Sequence, residues 1–195
     1  ASILRTMEET GIETQTNILF TGSVGEEGLG DLRGVKNLFT EDSPKIDSWI
    51  SIDGGDIDRV NIMGLGSYRY RVTFKGPGGH SWGAFGLANP QHALGSAIHN
   101  FTLAADEYTK TGAKTSYNVG RIGGGTSVNS IAFESWMEID MRSESPERLN
   151  HIDVILKSSI QKALDEQNSI KRIGPDLTVD IQKIGDRPSG ELNED

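Results

Sequence analysis

The chain has 195 residues, enough for one large domain or two small ones, and 19 basic against 28 acidic side chains give it a net charge of −9. An acidic chain without a Lys/Arg cluster argues against nucleic acid or an anionic membrane as partner, and no apolar run approaches the ~20 residues a spanning helix needs. It contains no cysteine, which excludes a disulfide framework and a thiolate zinc site, leaves carboxylates and four histidines as possible metal ligands, and fits a cytoplasmic location.

The first part of the chain reads as helix, strand, helix, strand. Ile3, Leu4 and Met7 mark the end of an amphipathic helix stopped at Gly11. The apolar run Ile18-Leu19-Phe20-Thr21-Gly22-Ser23-Val24 predicts an interior strand of a parallel sheet. Leu32, Val35, Leu38 and Phe39 carry a helical pattern, and Ser48-Trp49-Ile50-Ser51-Ile52 predicts a second strand. Two α/β units cannot cover a parallel sheet alone, so residues 1–65 are expected to be part of an α/β domain whose remainder lies upstream.

From residue 66 the pattern changes. Tyr68, Tyr70, Val72 and Phe74 alternate with Arg69, Arg71, Thr73 and Lys75, as in a half-buried strand. Asn89-Pro90 is an N-cap and N1 pair, followed by Leu94, Ile98, Phe101, Ala105 and Tyr108 on one helical face. Thr115 to Ile122 reads as a strand, and a stronger one alternates from Ile131 through Met141. Ser145-Pro146-Glu147 opens a second helix, with Leu149, Ile152, Leu156, Ile160 and Ala163 on its apolar face. Leu177, Val179 and Ile181 make a last strand. The order βαββαβ predicts an α+β ferredoxin-like domain over 66–186, with one sheet face under two helices and the other open and polar. Gly185-Asp186-Arg187-Pro188 reads as the link leaving this domain, with 187–195 as a return linker.

The chemistry-bearing residues cluster at predicted strand ends, where open α/β sheets place ligands. Glu26 and Glu27 follow the first strand between Gly25 and Gly28, and Asp53-Gly54-Gly55-Asp56 follows the second. Two strands ending in carboxylates and glycines suggest a hard-cation or zinc site with a general base beside it. The plainer alternative is a set of solvated loop acids in an acidic protein.

Five segments in order, GEEGLGDLRGV, SIDGGD, GPGGHSWGAFGLANPQHAL, GGGTSVNSIA and EIDMRS, resemble the co-catalytic zinc peptidase family that includes peptidase T, carboxypeptidase G and succinyl-diaminopimelate desuccinylase. The resemblance covers nearly the whole chain. It implies an α/β catalytic domain, here partial, with an inserted ferredoxin-like lid that also makes a homodimer. It implies Glu26 as general base and Glu27 as a zinc ligand. Asp53 is implied as ligand to the other zinc, with Asp56 as a competitor. His80 would stabilise an oxyanion in the partner subunit's active site, and Asn129 and Arg142 would hold the substrate's carboxylate or backbone. For Arg142 the plainer alternative is an ion pair with Asp140 or Glu144. The implied cofactor is zinc, two per site, with cobalt or manganese also suited to such ligands. The implied substrate is a small peptide or an N-acyl amino acid.

Other signals carry less. His151-Ile152-Asp153 has the family's His-x-Asp pattern but falls in the second predicted helix, where positions two apart face different ways. His92 and His99 read as a solvated helix edge. The resemblance places the true His-x-Asp motif and the bridging acid before residue 1 and a last zinc-binding histidine after residue 195, so the chain alone is expected to be inactive. The rival readings are a non-catalytic ferredoxin-like dimerisation or binding module and a di-metal phosphoesterase; the latter leaves His80, Asn129 and Arg142 without roles.

Overall fold

The computed structural model describes residues 2–54 and 58–191. It divides into two compact units, the first running to Ser51 and the second beginning at Ile52. The chain is mixed α/β, and its second unit is an α+β ferredoxin-like domain.

In the first unit, helix α1 (Ser2–Thr10) ends at Gly11, whose φ of +65° is the left-handed stop the sequence predicts. A single 3-10 turn spans Gly28–Gly30, and helix α2 covers Arg33–Leu38. The two expected parallel strands do not form. Residues 18–24 and 48–52 run without a ladder, and Leu19, Val24, Ile50 and Ile52 are exposed, Ile50 by 85%. A parallel strand exists only through neighbours that accept its slanted backbone bonds. Among the described residues neither segment has such a neighbour, so apolar composition alone does not make them strands.

The second unit opens with a short strand β1 (Met63–Gly64), then β2 (Gly66–Lys75) and β3 (Gly79–His80). Helix α3 (Pro90–Thr109) leads to β4 (Thr115–Gly124), β5 (Ser130–Ile131) and β6 (Glu134–Ser143). Helix α4 (Pro146–Ile170) is followed by β7 (Thr178–Arg187) and β8 (Gly190–Glu191). Four strands form one antiparallel sheet in the order β4-β6-β2-β7, while β1 pairs with β8 and β3 with β5 in two-stranded ladders.

The alternation in β6 sets the layers. Ser135, Met137, Ile139, Met141 and Ser143 are buried under the helices, and the residues between them point to the open face. Tyr70, Val72 and Phe74 of β2 join Phe101 of α3 and Ile152, Leu156 and Ile160 of α4 in one core. The helices begin where the caps predict. Asn89 accepts the Gln91 N–H at 2.9 Å and Ser145 accepts the Arg148 N–H at 3.2 Å, each just before a proline.

Two boundaries differ from expectation. The strand expected over Ile131–Met141 is broken at Ala132-Phe133, because the Phe133 carbonyl turns to accept the Gly76 N–H at 2.8 Å. Gly185–Arg187, read as a link, completes β7: Gly185, Asp186 and Arg187 pair with Arg69, Tyr68 and Ser67. A register shift between Arg69 and Tyr70 breaks the side-chain alternation there, so no period-two pattern marks this half of the strand.

Candidate functional site

Glu26 and Glu27 lie on a tight turn of the first unit. Glu26 is half-buried, whereas Glu27 is exposed and extended, with φ −83° and ψ 158°. Backbone packing shapes the turn. The Gly34 N–H donates to the Val24 carbonyl at 3.0 Å, and the Gly30 N–H donates to the Glu27 carbonyl at 2.9 Å. A Cβ on Gly30 would collide with the Gly25 backbone, and one on Gly34 would lie 2.7 Å from Val24 N and O. The next two residues, Asp31 and Leu32, are both left-handed, with φ of 51° and 59°. Asp31 is held by Lys36 Nζ at 2.6 Å. The glycines of this motif thus bring Val24 and α2 into contact around the two carboxylates.

Asp53 is exposed, and its Oδ1 accepts the Gly54 N–H at 2.7 Å, as an acid at a loop turn does. Its competitor Asp56 lies outside the described residues. Among the described residues no three of His, Asp and Glu converge to hold a metal ion. The carboxylates of Glu27 and Asp53 each have donor chemistry that suits zinc, but a catalytic zinc takes three protein ligands, so neither alone makes a site.

His80 and Asn129 come together. His80 pairs with Ser130 across the β3–β5 ladder, and one step further the Ser81 N–H donates to the Asn129 carbonyl at 2.9 Å. His80 Nδ1 accepts two backbone donors, Trp82 N at 3.2 Å and Gly83 N at 3.4 Å. In the neutral ring the proton therefore sits on Nε2, which becomes an outward donor. Asn129 Oδ1 accepts the Ser127 hydroxyl at 2.6 Å, which leaves its amide N–H groups as donors. Both side chains are exposed.

Arg142 stands elsewhere. It lies near the carboxyl end of β6, level with Ser67 and Ser116, whereas His80 and Asn129 lie beyond the other end. Eight residues of strand separate Glu134 from Arg142, roughly 27 Å at the usual rise. One copy of the chain does not bring the three together. Arg142 Nε donates to Asp140 Oδ2 at 2.7 Å, the plainer alternative stated above. Asp140 also accepts from Arg69 Nε at 2.7 Å. Burial pushes the Asp140 carboxyl up, but the hydrogen bonds from Arg142 and Arg69 outweigh it and hold it below the usual range. Beside them Glu138 bridges Arg71 at 2.8 Å and Arg121 at 2.9 Å, and Arg71 lies 3.9 Å over the Trp136 ring.

Of the remaining histidines, His92 and His99 are exposed on α3, and His151 stacks on Tyr108 at 4.5 Å with no part in a metal cluster. What the sequence reading passed over is the exposed apolar pair beside His80 and Asn129, Trp82 and Val128. The β3–β5 pairing brings their two loops near each other, and residues 50 or more positions apart give no local signal of it.

The chain belongs to the peptidase dimerisation domain family, whose model matches residues 65–173. None of the curated proteins matches it. Among solved structures it is similar to an aminobenzoyl-glutamate utilization protein from Klebsiella pneumoniae, with a TM-score of 0.55 and 14% identity over 67% of this chain and 30% of that one. It is also similar to a hydantoinase/carbamoylase family amidase from Burkholderia ambifaria, at 0.57 and 13% over 67% and 30%. An amidase of the same family from Burkholderia vietnamiensis scores 0.53 at 17% over 68% and 30%. At these identities the likeness shows the fold, and the chain spans about 30% of the length of these proteins.

Proposed function

We propose that this chain is the lid and part of the catalytic domain of a zinc-dependent amidohydrolase or exopeptidase that cleaves small peptides or N-acyl amino acids. The division proposed is 1–65 for the catalytic part, 66–186 for the lid and 187–195 for the return. The observation that carries the reading is the donor pair His80–Asn129, held by backbone N–H groups on His80 and by the Ser127 hydroxyl on Asn129, inside the segment that matches the dimerisation family. Among the structural relatives, the printed names of an aminobenzoyl-glutamate utilization protein and of two amidases agree with amide chemistry.

In this reading Glu27 is a ligand to one zinc and Asp53 to the other, each completed by ligands from outside the chain, and cobalt or manganese are alternatives to zinc. The metal supplies a polarised carbonyl and an acidic water. Glu26, half-buried and beside a ligand, takes and returns the proton. His80 Nε2–H donates to the developing oxyanion. Arg142 offers a planar fork to the substrate's carboxylate.

A two-fold dimer through β4 accounts for the separation of Arg142 from His80. The edge strand β4 would pair antiparallel with its copy, giving the order β2-β6-β4 continued into β4-β6-β2 of the second lid. The two β6 strands then run in opposite directions three spacings apart, about 14 Å. Arg142 of one copy and the partner's His80 fall at the same end of the joined sheet.

The test is metal content beside turnover in the full-length protein. Glu26→Gln keeps the metal and loses roughly a hundredfold or more in turnover. Glu27→Gln lowers metal content first and recovers partly in excess zinc. Loss of metal in the first and retention in the second would reverse the two roles. Full activity and metal in both would sink the reading.

A further inference from the structure

On the open face of the sheet, Asp140 of β6 takes one arginine on each carboxylate oxygen, Arg69 Nε on Oδ1 and Arg142 Nε on Oδ2, both at 2.7 Å. The two arginines are held differently. Arg69 stands directly across the β2–β6 ladder from Asp140, so strand register alone brings them together. Its side chain is only 16% exposed, and its stem lies against Gly185 of β7, where an added Cβ would stand 3.1 Å from Arg69 Cβ. Arg142 has serines across from it on both sides, Ser67 on β2 and Ser116 on β4, so register gives it no acid. It turns back along its own strand to Asp140 instead, and its side chain stays 44% exposed.

That anchor leaves a particular part of Arg142 for a ligand. A guanidinium held at Nε keeps the N–H groups of its Nη atoms that point away from the acid, in a plane suited to a carboxylate. Among the described residues Arg142 bonds to no group other than Asp140. Holding the side chain in place beforehand removes rotamer freedom that an incoming carboxylate would otherwise have to remove. The charge of the cluster also suits an anion. Asp140 and Arg142 alone would cancel, whereas Arg69 leaves the three groups with one net positive charge.

We propose that Asp140, anchored by Arg69, is a positioning residue that presents the Nη groups of Arg142 to a carboxylate on the substrate. This rests on the reading of Arg142 as the group that holds that carboxylate. Asp140 and Arg69 act through Arg142 and do not touch the substrate. The proposal has a sign that charge alone does not give. Removing the acid leaves two uncompensated arginines, which by Coulomb attraction should bind an anion more tightly. Positioning requires the opposite, weaker binding, because Arg142 is then no longer held.

The experiment follows acetate release by the metal-loaded full-length protein from an N-acetyl amino acid and from the same compound with its carboxylate converted to a carboxamide. The wild type prefers the carboxylate by about tenfold or more in kcat/KM. Asp140→Asn lowers that preference by about tenfold, with the loss in KM for the carboxylate compound and kcat within about threefold. Arg69→Gln, which leaves the acid in place but unanchored, shifts the preference the same way by about threefold. A melt of each variant shows that it is folded at the assay temperature, and Arg69→Gln carries the test if Asp140→Asn is not. A preference that stays or sharpens in Asp140→Asn, while Arg142→Ala abolishes it, would overturn the proposal and leave Arg142 as the carboxylate holder. Equal losses on both compounds would overturn it in favour of a clasp that only joins β2 to β6. If the wild type cleaves neither compound, or treats the two alike, the underlying reading of Arg142 fails and the proposal with it.

Discussion

Arg142 lies along its own strand, donating from Nε to Asp140 Oδ2 at 2.7 Å two positions back on β6. Asp140 is thus shared between Arg142 and Arg69, and its carboxyl is held below its usual value of 3.8 by those hydrogen bonds working against burial. A carboxyl depressed in the folded state contributes stability that is fully present above 3.8 and is lost as pH falls through the lower folded value. Asp140→Asn should therefore destabilise the domain by about 1 kcal/mol at pH 7, a modest figure because both arginines are partly solvated. The difference from wild type should shrink as pH drops below 3.8. Urea titrations at neutral pH and near pH 3 check this, and a gap that stays constant with pH would show that Asp140 acts by shape alone.

Most of the second unit was legible in the sequence because its elements carry their own patterns. The alternation of Met137, Ile139 and Met141 with Trp136, Glu138 and Asp140 needs only one core face, and the caps at Asn89 and Ser145 act within three residues of themselves. In the first unit the two helices were legible and the two strands were not. Ile18–Val24 and Trp49–Ile52 have strand composition, but strand formation is a property of pairs, and no described neighbour supplies the partner. The same holds for the site. Glu26, Glu27 and His80 stand out by motif. The orientation of His80 depends on two backbone N–H groups, and the distance of Arg142 from it depends on strand register, neither of which residue type encodes.

A dimer through β4 makes a prediction at Ile122. This residue is 64% exposed on the edge strand and pairs with Met137, so it lies on the helix side of the sheet rim. A lysine there adds a charge that each copy presents to the other across the two-fold axis, doubling the penalty. Ile122→Lys should weaken the dimer by about tenfold or more and leave the fold intact, since the side chain contributes little to the core. Analytical ultracentrifugation over a concentration series measures this. An unchanged association constant would place the interface elsewhere, and a strictly monomeric wild type at high micromolar concentration would remove it.

The His80 ring makes a spectroscopic prediction that is independent of turnover. With Trp82 N and Gly83 N donating to Nδ1, neutral His80 should be the Nε2–H tautomer. The nitrogen-15 shifts of the ring distinguish the two tautomers directly. Gly83→Pro deletes one of the two donors, and it should raise the share of the Nδ1–H tautomer without changing the thermal transition of the domain. A wild-type ring protonated on Nδ1 when neutral would remove the outward donor and with it the oxyanion role.

Gly34 tests whether the carboxylate turn depends on backbone contact. A Cβ there would lie 2.7 Å from Val24 N and O and 2.9 Å from Ser23 Oγ, closer than side-chain carbons approach backbone. Gly34→Ala must push α2 away from Val24 and break the bond between the Gly34 N–H and the Val24 carbonyl, now 3.0 Å. Gly22 is the control, because a Cβ there meets nothing within 4 Å and its φ is not positive. In Gly34→Ala the amide of residue 34 should exchange with solvent at least about tenfold faster, the signature of a local opening. Gly22→Ala should leave that rate as it is. The ferredoxin-like domain has its own core around Phe101 and Met141, so its cooperative melt should be the same in both variants. In the full-length protein the displaced turn should also lower turnover, because it carries Glu26. Equal exchange rates in the two variants, or an altered melt of the ferredoxin-like domain in Gly34→Ala alone, would show that the turn is held by something other than this glycine contact.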